Sequence, residues 1–198
     1  METLFPLVFS SGWASGVNAY GTVLLLGLFG RFAGLDGVPG AFERTDVLVI
    51  AAVLYGLEFV TDKIPYVDSA WDAVHTVIRP AVGTAIGLLA AGDVSSPQQA
   101  ALAVTGGGTA LASHLVKGGL RLAVNTSPEP VTNIVVSLLE DGVVAGVLAL
   151  VLVAPWVAAA IAAVLLACGI TLVVLLASRI RRAVRSRRER RGARAAPS

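Results

Sequence analysis

From residue 142 to residue 177 the chain reads GVVAGVLALVLVAPWVAAAIAAVLLACGITLVVLLA, without one charged side chain. About 20 apolar residues carry one helix across the hydrocarbon of a bilayer, and this run is far longer. Pro155 lies near its middle, where a helix interior would lose a hydrogen bond and meet the proline ring. The run therefore predicts the end of one spanning helix, a very tight turn, and a second helix down to about residue 178. Composition agrees. Of the 198 residues 56% are hydrophobic and 14% charged, with a mean hydropathy of +0.79, whereas a soluble domain carries roughly a quarter of its residues as charges. Cys168 is the only cysteine, which excludes an intramolecular disulfide and reads as a small apolar packing residue.

Charge falls in two blocks. Nine of the 15 Lys and Arg residues lie between Arg179 and Arg194, with Glu189 the one acid among them. The tail carries +8 and the remainder −6, so the net charge of +2 conceals a strong asymmetry. Arginines directly after a spanning helix place that end in the cytoplasm by the positive-inside rule and suit anionic lipid headgroups. They are not interleaved with aromatic residues and follow no nucleic-acid-binding pattern, so nucleic acid is not an expected partner. The opening METLFPLVFSSGWASGVNAYG lacks the basic start of a signal peptide and is read as mature protein.

Counting back from the tail gives six apolar segments, over 18–33, 46–60, 71–91, 99–124, 131–154 and 156–178. The expectation is an all-α, polytopic membrane helical bundle of about six transmembrane segments. Residues 1–178 form one transmembrane domain, and 179–198 an arginine-rich, disordered cytoplasmic tail. Segment three, with Asp72, His75 and Arg79 in its first half, is read either as a span or as an interfacial or re-entrant piece. The stretch before residue 18, with its string SSGWASG, reads as a broken or re-entrant half-helix dipping into the protein. Loops are short and rich in Gly and Pro; Ser96 and either Ser127 or Thr126 are candidate helix caps. A weak two-fold internal repeat appears at an offset of 59 residues, which lays YGLEFVTDKIP over HLVKGGLRLAV and sets Glu58 and Asp62 opposite Lys117 and Arg121. So few short spans make a thin bundle, and a homo-oligomer in a bacterial inner membrane is the expected setting.

A charge at the centre of a spanning helix costs at least about 2.5 kcal/mol when it faces lipid, so such groups are buried against protein or water. Asp68, Asp72, His75 and Arg79 follow steps of 4, 3 and 4, and His114, Lys117, Arg121 and Asn125 follow steps of 3, 4 and 4, so each set lines one helix face. With Glu58 and Asp62 on a third segment, the acidic and basic faces are available to pair. Glu140 and Asp141 also need partners, or lie close enough to the membrane edge to reach water. The structural reading is mutual pairing that holds the bundle together. The functional reading is a polar path formed by Asn18, Glu58, Asp62, Asp72, His75, Arg79, His114, Lys117, Arg121 and Asn125, with Tyr20 beside Asn18. Since acids and bases match in number here, charge alone leaves the sign of a ligand open. Glycines at 12, 16, 21, 106, 107, 108, 118 and 119 indicate close helix crossings or broken helices.

Transport or conduction of a small polar solute or ion is the favoured function. One alternative is a membrane enzyme acting on a lipid phosphate through Lys117, Arg121 and a histidine; another is a structural or partner-binding membrane protein. No HExxH, HxxH or phosphate-loop pattern is present, so no metal or cofactor is expected.

Three stretches, SGWASGVNAYGT from Ser11, LEFVTDKIPYVDSAWDAVHTVIRP from Leu57 and SHLVKGGLRLAVNTSPEPVTN from Ser113, carry a resemblance to a bacterial integral-membrane family catalogued as a domain of unknown function, number 4126. The resemblance reaches to about Ala177. It implies that function resides in these stretches, with no activity to transfer.

Overall fold

The computed structural model describes residues 3–64, 66–124 and 130–195, and these form an all-α bundle of seven helices. They are α1 (Leu4–Val17), α2 (Ala19–Ala33), α3 (Thr45–Thr61), α4 (Val67–Ala91), α5 (Ser96–Val124), α6 (Pro130–Val151) and α7 (Pro155–Ala195). Three stretches are long and apolar enough to cross a membrane: Val67–Ala91, Ile134–Val151 and Pro155–Arg182. Large apolar side chains such as Val74, Val77, Val104, Leu115, Leu139 and Val164 point outward. That surface suits hydrocarbon and not water, and the arrangement is that of a multi-pass membrane protein.

Local chemistry places the breaks. The expected turn near Pro155 closes with Ala154 N–H donating to the Leu150 carbonyl at 2.8 Å, and Pro155 opens α7 where no internal donor is needed. α2 ends at Gly34, whose φ of +64° is left-handed. Segment three is one unbroken helix despite Pro80, not an interfacial fragment. α5 begins at Ser96, with Ser95 one residue earlier accepting from Gln99 N–H. The caps expected at Thr126 or Ser127 lie outside the described residues. Residues 179–195, expected to be disordered, continue α7 as helix, in keeping with the high helix propensity of Arg and Ala.

The N-terminal helix pair organises the rest. α1 has about 21 Å of length, short of the ~30 Å hydrocarbon, and every residue from Ser10 to Val17 is buried. It is enclosed by α4, α5, α6 and α7. Ser11 and Ser15 donate to the carbonyls of Leu7 and Gly12 in their own helix, which lets them sit in a dry interior. At Asn18 the chain is extended (φ −147°, ψ 100°), and α2 turns back. The return is shown by the loop after α2. Val38 lies against Gly30, and a methyl group at neighbouring Gly37 would lie 3.0 Å from Leu4 Cδ2. A straight path from Leu4 through α2 to Gly30 would separate these places by about 39 Å. α1 and α2 thus form a helical hairpin with Asn18 at its tip.

Neighbour contacts give the directions. Gly12 meets Gly106 and Thr109, while Gly16 meets Ala110 and Ser113, so α1 runs parallel to α5. Gly83 meets Gly106 and Gly87 meets Leu102, so α4 runs antiparallel to α5. α7 runs parallel to α5, with Gly169 on Val116 and Val173 on Gly119. Phe5 and Trp156 share a ring contact at 6.1 Å, which sets the start of α1 level with the start of α7 and opposite the arginines.

The glycine reading is divided by position. A Cβ on Gly83 would strike the Gly106 carbonyl, and one on Gly106 the Gly83 carbonyl, whereas Gly108 and Gly118 face open space. Gly106→Ala should therefore lose about 1–3 kcal/mol through overpacking, and Gly108→Ala should be neutral or gain up to about 1 kcal/mol from helix propensity. Thermal unfolding of the two variants in the same detergent checks this contrast.

Candidate functional site

The hairpin tip leaves two helix ends inside the bundle, and each meets the charge its dipole favours. At the C-terminal end of α1, the Val17 carbonyl accepts from Lys117 Nζ at 2.9 Å and the Gly16 carbonyl from Arg79 Nη1 at 3.4 Å. At the N-terminal end of α2, Asn18 Oδ1 accepts from Gly21 N–H at 2.8 Å, and its amide donates to Asp141 Oδ1 at 3.0 Å. One extended residue thus places cations on one side of the tip and a carboxylate on the other.

Around the tip the charges pair across helices. Arg79 Nη2 holds Glu58 Oε1 at 2.7 Å, and its Nη1 lies 2.9 Å from Asp72 Oδ1. Lys117 Nζ donates to Asp62 Oδ2 at 2.6 Å. Arg121 donates to Glu140 Oε2 at 2.6 Å and to the Asp62 carbonyl at 2.9 Å, with Asp68 at 3.5 Å. Lys63 lies 3.9 Å from Asp141 and sits over the Phe59 ring. Glu58 and Arg79 are 0% exposed. Among the described residues this network holds six carboxylates (Glu58, Asp62, Asp68, Asp72, Glu140, Asp141) and four cations (Lys63, Arg79, Lys117, Arg121).

Hydrogen bonds assign the two histidines. Arg79 can only donate, so His114 Nδ1 at 2.9 Å accepts, and the His114 proton sits on Nε2, directed at Thr76 Oγ1 at 3.0 Å. Thr76 in turn donates to the Asp72 carbonyl at 3.1 Å. His75 has the opposite tautomer: Nδ1–H donates to the Trp71 carbonyl at 2.8 Å, and Nε2 accepts from Tyr20 O–H at 3.1 Å. The Trp71 ring packs on His75 at 4.7 Å between centroids.

The network has a definite depth. Asp68 and Arg121 lie within a turn of the helix ends on the arginine-tail side. Arg79, about 18 Å along α4, lies roughly midway through the ~30 Å hydrocarbon. Beyond it the helices touch backbone to backbone at Gly83, Gly87 and Gly106. A polar, ion-paired half therefore lies toward the tail side, and a half packed through glycines lies toward the other.

The expected site residues Asn18, Glu58, Asp62, Asp72, His75, Arg79, His114, Lys117 and Arg121 are all buried and gather around the tip. Asn125 lies outside the described residues. The acidic and basic faces meet as expected, but in a different register. Asp62, at the end of α3, takes Lys117 and Arg121 of α5, which leaves Glu58, one turn earlier, in the hands of Arg79. The pairing of Glu58 with Lys117 suggested by the repeat is thus replaced by Glu58 with Arg79. Glu140 and Asp141 do not reach out to water but complete the network. Thr76 and Lys63 were not singled out in the sequence; Thr76 carried no signal, while Lys63 adjoins Asp62 at a helix end.

A family model described as domain of unknown function (DUF4126) matches residues 6–175. The chain belongs to this family. The match takes in the hairpin, both polar stripes and nearly all of the apolar part of α7. No curated protein and no solved structure matches.

Removing one member of a buried pair leaves the other uncompensated and costs about 3–5 kcal/mol. Lys117→Met should lower the unfolding midpoint in detergent by that equivalent, and adding Asp62→Asn should recover part of the loss. Equal stability of Lys117→Met and the unaltered chain would contradict the pairing.

Proposed function

We propose that this protein moves a small polar solute or ion across a bacterial inner membrane, with the network around the hairpin tip as its path. The observation that carries the reading is the division of depth at Arg79: buried polar groups lead from the tail side to mid-membrane, and close-packed glycines shut the far side. Such a half-open path is one state of an alternating-access cycle, and a broken helix offering its ends to a mid-membrane site is a recurrent transporter device. The path residues are Asn18, Glu58, Asp62, Asp72, His75, Arg79, His114, Lys117 and Arg121, with Asn125, next in the α5 stripe, as a further candidate.

The positive-inside rule puts the arginines of α7, and so the polar half, in the cytoplasm, where they face anionic headgroups. On this reading the crossings are α3 to α7, five with a re-entrant hairpin in place of six, and Leu4 lies on the outer face. A repeat, if the chain holds one, would relate the pairs α3–α4 and α5–α6, which run through the bundle in the same order. Homo-oligomers would cover part of the outward apolar surface. The lipid-phosphate reading is weaker, because Lys117 and Arg121 are committed to carboxylates. A purely structural role accounts for the pairs but not for the cavity between α4 and α5 on the tail side.

In liposomes the purified protein should pass a small ion or polar solute, and Lys117→Ala and Glu58→Ala should each reduce that flux by about ten-fold or more. Undiminished flux in both variants contradicts the assignment.

A further inference from the structure

The ion pairs leave a remainder, and it is acidic. Six carboxylates against four cations leave two negative charges in excess among the described residues of the network. A net charge buried at membrane depth is offset by a counter-ion or removed by a proton. Each of Arg79, Lys117 and Arg121 already holds a carboxylate oxygen within 2.9 Å. An anion arriving here would meet carboxylates with their cations taken.

A cavity marks where the counter-charge goes. Between α4 and α5, on the tail side of Arg79, lies a space of about 350 Å³ lined by Ser69, Asp72, Thr76, His114 and Arg121 together with apolar and glycine positions. Asp72 is 5% exposed. Its Oδ1 faces Arg79 at 2.9 Å, while its Oδ2 has no hydrogen-bond partner among the described residues. A buried carboxylate oxygen of this kind loses about 1–3 kcal/mol or more by going unmatched, and a dehydrated cation drawn in from the adjoining cavity would supply the match. The remaining oxygen donors nearby are hydroxyls: Thr76 Oγ1, oriented by His114, and the Ser69 side chain. One carboxylate with hydroxyls is a hard-oxygen set of low charge. Among the described residues no three Asp, Glu, His or Cys side chains converge as a metal cluster. The set suits a monovalent ion and is too sparse for a divalent one.

We infer that the cavity between α4 and α5 binds a small monovalent cation, an alkali ion or a proton, with Asp72 as its ligand. This rests on the transport reading and names the class of what is carried or coupled.

The test separates the two. Purified full-length protein in detergent is titrated with sodium chloride, and separately with potassium chloride, at ionic strength held with N-methylglucamine chloride. A titration of pH without alkali ions distinguishes the proton. The readout is the fluorescence of Trp71, adjacent to Asp72 in sequence, with Trp71→Phe to assign the signal. The expected result is a saturable response to an alkali ion or to protons that weakens by roughly ten-fold or more in Asp72→Asn, several-fold in Thr76→Val, and shifts in Asp72→Glu. Should Asp72→Asn fail to fold, as judged by gel filtration and circular dichroism, the other two variants decide. A response unchanged in the folded variants overturns the site, as does the lack of any cation response. Radioactive sodium, a trapped pH dye and radioactive chloride then report flux in liposomes. Cation binding without any flux keeps the site and defeats transport. Chloride flux indifferent to Asp72→Asn keeps transport and defeats the site.

Discussion

The Arg79 guanidinium is the interaction on which the bundle turns. It is wholly buried and touches four helices at once: the Gly16 carbonyl of α1, Glu58 of α3, Asp72 of its own α4 and His114 of α5. A planar fork with five donors and a fixed charge can satisfy that many acceptors where a lysine cannot. Because Arg79 can only donate, it sets the tautomer of His114, and through that ring the orientation of Thr76. The same group closes the end of α1, so the helical hairpin and the ion-pair network are one construction.

Above and below Arg79 the bundle is held by different forces. Toward the arginine tail, α3, α4, α5 and α6 are joined by charges whose partners lie on other helices. Toward the opposite face, α1, α4 and α5 approach through glycines with backbone against backbone. In a bilayer apolar side chains gain nothing by leaving lipid for one another, so close packing and polar contacts must supply the association. The cavity beside Asp72 lies on the charged side of that division.

Much of this was legible from residue types and spacing. The uncharged run with Pro155 marked the turn into α7, and the 3- and 4-residue steps from Asp68 and His114 placed both stripes on helix faces that do meet. Glu58 and Asp62 were rightly matched to a basic face, but the register was not, since an offset between similar stretches aligns sequences and not side chains. The broken N-terminal helix could be read from SSGWASGVN, yet its return could not: a single extended residue at Asn18 reverses the chain, and nothing local distinguishes that from a kink. The pairing of Glu140 with Arg121 was hidden because it spans two helices and an intervening turn. α7 runs on as helix past residue 178 to Ala195, where Arg and Ala have high helix propensity.

The central claim is that the chain begins its hairpin on the face opposite the arginines and turns it beside Arg79. A cross-link between cysteines at positions 5 and 156 tests it most directly. The Phe5 and Trp156 rings lie 6.1 Å apart at that face. With Cys168 replaced by Ala, Phe5→Cys and Trp156→Cys in native membranes should be joined within one chain by a short bis-maleimide, changing its mobility on a denaturing gel. A hairpin that instead started on the arginine side would hold these cysteines a membrane's thickness apart, and no intrachain cross-link would form.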